Sequence, residues 1–81
     1  MPAYEELISF LVKNIVTKPE DVEVTSKRSE NGVVKVMIRT APEDIGRVIG
    51  KRGVTINAIR YIAKASSIKP NEKVEVDLLE E

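Results

Sequence analysis

The residues best suited to chemistry lie in a four-residue segment, Gly50-Lys51-Arg52-Gly53. Glycine has no Cβ and readily adopts positive φ, so a ligand's backbone can approach the main chain closely at both ends of the segment. Lys51 and Arg52 place two flexible cations at its tip. A helix predicted to begin near Thr55 directs its amide groups and its partial positive charge at the same place. A phosphate-bearing strand is therefore the ligand that the segment suits best.

The composition of the chain excludes most kinds of catalytic site. Its 81 residues include no cysteine and no histidine. A thiolate nucleophile, a disulfide, a zinc finger and an iron–sulfur cluster are therefore excluded, and the commonest general base is missing. The acidic pair Glu43-Asp44 follows Pro42 and is explained by the first turn of a helix, where carboxylates favour the positive end of the dipole. We expect no catalysis, no metal and no cofactor.

Charge is balanced overall but unevenly distributed along the chain. There are 13 basic and 13 acidic residues, with a surplus of four positive charges in residues 39–64 and of four negative charges in residues 72–81. Such a chain can present a basic patch to a polyanion while remaining neutral as a whole. The first ten residues have no basic segment, and no apolar run approaches the ~20 residues that span a bilayer. We therefore expect a cytoplasmic protein without contact with a membrane.

Hydrophobic periodicity predicts the elements that must position the glycine segment. An i, i+3, i+4 stripe predicts a helix over residues 4–16. Alternation predicts strands at 22–27 and 33–40, joined by a hairpin turn at Asn31-Gly32. A short helix begins at Pro42 and ends at Gly50, and a longer helix covers residues 55–67. A last strand covers residues 73–79, which gives the order αββααβ.

The predicted elements form one α+β domain over residues 1–81. Packing three helices on one face of a three-stranded sheet is the simplest layer arrangement that buries the apolar stripes. Val34, Val36 and Ile38 then face the helices, because side chains alternate along a strand. The outer face of the sheet would present charged side chains to solvent, namely Lys35, Arg39, Glu75 and Asp77.

The glycine segment and its flanks resemble the K-homology (KH) domain. The signature of that domain is an apolar pair, then GxxG, then an apolar residue three positions on, here Val48-Ile49, Gly50-Lys51-Arg52-Gly53 and Ile56. The element order is similar to the type II arrangement, and the whole chain resembles the small bacterial single-KH proteins of the KhpA family. The resemblance implies a mixed sheet and a GxxG loop that grips the backbone of about four nucleotides of single-stranded RNA.

The resemblance also implies roles for individual residues. Gly50 and Gly53 would shape the loop, Lys51 and Arg52 would face phosphates, and small and apolar neighbours would form a groove for the bases. From their helical spacing we infer that Arg47 and Arg60 flank this groove. The expected RNA-binding residues are Gly46, Arg47, Ile49, Gly50, Lys51, Arg52, Gly53, Thr55, Ile56 and Arg60. The family further implies an RNA chaperone or post-transcriptional regulator that forms a homodimer or pairs with a larger Jag-type (KhpB) protein.

Other interpretations of the same residues remain open. A protein–protein adaptor or dimerisation subunit could use this fold with little RNA binding. A double-stranded DNA reader of helix–turn–helix type would use Thr55, Asn57 and Arg60, and the glycines could simply form a helix corner. Ile49 and Ile56 are either core residues or base contacts. The long second helix of the pair carries surplus apolar residues that either wrap the small sheet or form a homodimer seam, namely Tyr61, Ile62, Ala65 and Ile68.

Overall fold

The computed structural model describes residues 4–80 and confirms the predicted order αββααβ. Short 3-10 turns precede the first strand, precede the second helix and join the last two helices, at Pro19–Asp21, Pro42–Asp44 and Lys51–Gly53. The main elements are α1 (Tyr4–Lys13), β1 (Glu23–Arg28), β2 (Val33–Arg39), α2 (Ile45–Ile49), α3 (Val54–Ser67) and β3 (Lys73–Leu78).

The three strands form one mixed sheet in the order β1-β2-β3. β1 pairs with β2 in the antiparallel sense through the predicted hairpin, in which Gly32 has a φ of +80°. β2 pairs with β3 in the parallel sense, so the chain must cross over between them through α2 and α3. Both β1 and β3 are edge strands among the described residues.

One face of the sheet carries the core. Val34, Val36 and Ile38 are buried on β2, and the register places Val74, Val76 and Leu78 directly beside them. The helices complete this cluster with Ile8 and Val12 from α1, Val48 from α2, and Ile56, Ile59 and Ala63 from α3. The outer face is exposed at all four charged positions expected there: Lys35, Arg39, Glu75 and Asp77.

The first helix is shorter than its hydrophobic stripe predicts. It ends at Lys13 rather than near residue 16. The amide of Ile15 donates to the carbonyl of Val12 at 2.9 Å, which turns the chain out of the helix and lets Ile15 and Val16 pack against the core. The apolar pattern continued past the helix end because the residues that follow are also partly buried.

Asp44 has a different role from the one expected of a first-turn acid. Its carboxylate is completely buried and accepts hydrogen bonds from the Thr17 amide at 3.0 Å, the Thr17 hydroxyl at 2.8 Å and the Lys18 amide at 3.0 Å. The amide of Thr17 is the main reason that the pKa of Asp44 lies below its usual value. Asp44 therefore ties the chain between α1 and β1 to the start of α2. Glu43, by contrast, is exposed and pairs with Lys18.

Candidate nucleic-acid interface

The corner between α2 and α3 requires glycine at position 50. Gly50 has φ +76° and ψ 168°, and its amide closes α2 by donating to the carbonyl of Gly46 at 2.9 Å. A Cβ at Gly50 would lie 2.7 Å from the backbone nitrogen of Thr55 and would also meet the Thr55 side chain. Thr55, expected as an RNA-binding residue, thus packs over the loop and fixes its first glycine.

The loop then turns back through two left-handed residues. Arg52 has φ +58° and ψ 26°, and Gly53 has φ +78° and ψ 11°. The Gly53 amide donates to the Gly50 carbonyl at 3.1 Å, which holds the loop closed. A left-handed conformation costs a non-glycine residue about 1 kcal/mol. Such strained residues cluster at ligand-binding sites, and here the strain falls on a cation at the tip of the loop.

The cations of the corner are available to a ligand. Lys51 and Arg52 are exposed, and within residues 4–80 neither has a carboxylate within ion-pair distance. Arg47 lies on α2, with its side chain 60% exposed and its Nε 4.0 Å from Asp44. That distance is at the limit of an ion pair, and the Asp44 carboxylate is already bonded to Thr17 and Lys18. Three positive side chains can therefore turn towards a phosphate without first breaking a strong ion pair.

The surface beside the loop contains both apolar and small positions. Gly46 is exposed on α2, and a Cβ built there would meet nothing within 4 Å beyond its own helix. Ile49 is half-buried. Ile56 is only 7% exposed and belongs to the core, so it supports the groove from beneath and offers little surface to a base. Sequence alone leaves core and contact roles open for both isoleucines; the structure places Ile56 in the core and leaves part of the Ile49 surface exposed.

Arg60 borders the groove, but its guanidinium already has partners. Its Nε donates to the Val76 carbonyl at 2.9 Å, while the terminal nitrogens lie 3.3 Å from Asn57 Oδ1 and 3.4 Å from Asp77 Oδ1. From the sequence, neither Val76 nor Asp77 is expected at this site. No spacing rule could have identified them, because the contact joins residues 16 and 17 positions apart.

A second exposed feature runs along the outer side of α3. The surplus apolar residues do not wrap the sheet: Tyr61 and Ile68 are each 74% exposed, and Val54 is 66% exposed. Residues 54, 58, 61, 65 and 68 recur at spacings of four and three, which places them on one side of a helix. We call this set (Val54, Ala58, Tyr61, Ala65 and Ile68) the α3 stripe.

Two further properties bear on function. Among the helices of residues 4–80, none is both long and apolar enough to cross a membrane. In the same part of the chain, no group of three or more acidic side chains is placed to hold a metal ion. The candidate site therefore consists of main-chain amides, cations and apolar surface.

The fold and the GxxG corner together define a type II KH domain. Comparison with known proteins then gives the family: residues 5–78 match the family model described as "KhpA/KhpB, KH domain", and the chain belongs to that family.

Curated relatives match over nearly their whole length. A Clostridium perfringens protein named RNA-binding protein KhpA is 41% identical over 75 residues, which cover 93% of this chain and 99% of that protein. Proteins with the same name from Listeria monocytogenes and Chlamydia trachomatis are 37% and 36% identical, covering 94% and 95% of this chain and 99% and 97% of their own.

A solved structure supports the fold alone. An Aquifex aeolicus Era variant, crystallised with GDP and aluminium fluoride, superposes with a TM-score of 0.61 at 16% identity. The match covers 93% of this chain and 29% of that protein, so this chain corresponds to less than a third of it.

Proposed function

We propose that this protein is a non-enzymatic, single-stranded RNA-binding protein of the cytoplasm that acts as an RNA chaperone or post-transcriptional regulator through one KH domain. The observation that carries the proposal is the GxxG corner, where two exposed cations, without ion pairs to any residue of 4–80, stand on a closed, glycine-dependent loop. The name of the curated relatives, RNA-binding protein KhpA, supports RNA as the ligand.

The binding mode follows from the chemistry of the groove. The phosphates would lie against Lys51, Arg52 and Arg47, with the strand passing close to the main chain at the glycines. The exposed Gly46 and the half-buried Ile49 leave an apolar surface on which a base can lie. The exposed acids Glu75 and Asp77, on the outer face of β3, would repel phosphates from that side of the sheet. The RNA backbone is thereby kept at the loop and its cations, and a base can lie beside them on α2.

The geometry favours single-stranded RNA over duplex DNA. A helix–turn–helix reader needs polar side chains that project freely from its second helix into the major groove. On α3, Arg60 is instead bonded to β3 and to Asn57. Thr55 is half-buried over the loop. The three residues that would read a duplex are therefore already engaged.

The test is fluorescence anisotropy with a labelled single-stranded RNA. We expect the double variant Lys51→Asp/Arg52→Asp to lose binding while its thermal transition stays normal, because both side chains are exposed. The matched control is Lys27→Asp/Lys35→Asp, which makes the same change of charge on the outer face of the sheet and should retain most of the affinity. Unlabelled duplex DNA of equal charge should compete poorly. Retained affinity in the loop variant, with a normal transition, would refute the proposal.

A second proposal concerns self-association through the α3 stripe. Large apolar side chains are left 66–74% exposed at Val54, Tyr61 and Ile68, and a small domain gains stability when such surface is covered. The occupant that we propose is the same stripe of a second copy, which is the commonest arrangement for a two-fold interface. A larger Jag-type (KhpB) protein with its own KH domain would be the heterodimer partner at the same surface.

Light scattering after size exclusion tests the dimer. Tyr61→Asp/Ile68→Asp should convert a dimer into a monomer, because each change puts a charge into an apolar seam. Phe10→Asp is the matched control, since Phe10 is 66% exposed on α1. A dimer that survives the change in the stripe, or one broken equally by Phe10→Asp, would contradict the assignment. A monomeric wild type that forms a complex with a KhpB-type protein would show that the stripe serves the heterodimer.

A further inference from the structure

Arg60 passes around the open edge of the sheet. The amide of Leu79, just after β3, donates to the carbonyl of Ile38 on β2. Main-chain groups alternate in direction along a strand, so the other odd-numbered residues of β3 also direct their amides and carbonyls at β2. The carbonyl of Val76 therefore points to the open edge, and it accepts the Arg60 Nε proton at 2.9 Å. Asp77 lies on the outer face, and its carboxylate is 3.4 Å from the far end of the same guanidinium.

This arginine is the polar connection between α3 and β3. Elsewhere the two elements meet through apolar side chains, including Ile59 and Val76 in the core. Among residues 4–80, the side-chain hydrogen bonds and ion pairs that join α3 to β3 are all made by Arg60. A hollow of about 320 Å³ lies beside this contact, bordered by Arg60, Lys64 and the residues of β3 from Val74 to Asp77.

The contact links the two walls of the proposed RNA groove. The GxxG loop leads directly into α3, so the direction of α3 sets the position of the phosphate-binding cations. In the proposed groove, β3 would form the opposite wall, because Arg60 joins the open edge of that strand to α3. A guanidinium held on the main chain of β3 fixes the distance between the two walls, and its planar fork makes this geometry specific in a way that a lysine would not.

We propose that Arg60 is a positioning residue for RNA binding: it holds the open edge of β3 at a fixed distance from α3 and remains on Val76 when RNA is bound. This inference rests on the proposed function, and it gives Arg60 a role different from the direct phosphate or base contact expected from sequence. The carboxylate of Asp77 strengthens the arrangement, because it competes with any phosphate for the same guanidinium.

Conservative substitutions distinguish positioning from direct contact. Arg60→Lys keeps the positive charge but puts a methylene group where Nε now stands. We expect the Kd for single-stranded RNA to rise about tenfold or more, the loss typical of one hydrogen bond to a charged group. The slope of log K against log salt should stay unchanged, because no phosphate contact is removed. The control swap Lys27→Arg, at an exposed position on the outer face of the sheet, should keep the affinity within about twofold. Lys51→Gln, which removes a proposed phosphate contact, should reduce the slope by about 0.7.

A measurement on the unmodified protein completes the test. The Arg60 Nε–H proton is bonded to a carbonyl, so its NMR signal should be protected from exchange and should persist when the protein is saturated with RNA. Loss or a large shift of that signal on binding, or wild-type affinity in Arg60→Lys, would overturn the positioning role while leaving RNA binding intact. If neither the wild-type protein nor Lys51→Gln binds RNA, the proposed function and this inference would both be overturned.

Discussion

Adding a side chain at Gly46 should stabilise the protein and weaken RNA binding at the same time. Gly46 lies in α2, is exposed, and has open space where a Cβ would stand. Replacing glycine by alanine inside a helix gains about 0.5–1 kcal/mol. Unfolding entropy is about 2.1 cal/mol/K per residue, so for 81 residues the melting temperature should rise by about 3–6 °C in Gly46→Ala.

The effect on RNA should have the opposite sign. If a nucleotide lies against the exposed main chain at Gly46, a methyl group there lifts it away, and the larger side chain of Gly46→Leu blocks its place. The loss of one well-packed base contact corresponds to about a tenfold rise in Kd. We expect a graded loss from glycine through alanine to leucine.

Calorimetry gives the stability and anisotropy gives the affinity of the same samples. Because the variants are expected to be at least as stable as the wild type, weaker binding could not be attributed to unfolding. Gly46→Leu with wild-type affinity for RNA would show that no nucleotide lies on α2 and would refute the placement of the groove.

Four further changes test the structure more broadly. Gly50→Ala should lower the melting temperature by several degrees, because it combines positive φ with a steric clash. Arg52→Asn should retain or slightly raise stability, since asparagine tolerates left-handed backbone, yet weaken RNA binding. The Thr17 amide is the main reason that the pKa of Asp44 is lowered, so the ionised carboxylate stabilises the folded protein at pH values above the usual Asp pKa of 3.8. This contribution is lost as the pH falls below that value. Thermal melts from pH 2 to 7 should show the loss, and Asp44→Asn should flatten the pH dependence. Burial raises the pKa of Tyr4 to about 12, so the protonated phenol stabilises the folded protein below pH 10, and this stabilisation is lost between pH 10 and 12. In thermal melts over that range, Tyr4→Phe should lose less stability than the wild type.

The order of elements could be predicted from sequence because local signals agreed with one another. The alternation of apolar and polar residues predicted β2 and β3, and Asn31-Gly32 predicted the hairpin between the first two strands. Pro42 and Gly50 predicted the two ends of the short helical segment. The inner and outer faces of the sheet followed directly, because side chains alternate with a period of two. The end of α1 was predicted three residues too late, since residues 15 and 16 are partly buried whether or not they are helical.

The site was only partly predictable for a physical reason. The GxxG segment is local, so its glycines, its cations and the two helices around it could be recognised from the sequence. The partners of Arg60 and Asp44 come from distant parts of the chain, and their contacts depend on the tertiary fold. The resemblance to KH domains placed Ile56 near the groove but could not decide whether it faces a base or the core, because a helix packed on a sheet offers both surroundings within one turn.

The central claim is that the GxxG corner grips single-stranded RNA. A titration of ¹⁵N-labelled protein with a short single-stranded RNA, followed by amide chemical shifts, tests it most directly. The structure predicts that the largest changes fall on Gly46 and on Lys51–Gly53, and that the changes disappear in Lys51→Asp/Arg52→Asp. Changes confined to the outer face of the sheet, around Lys27 and Lys35, or no changes at millimolar RNA, would contradict the claim.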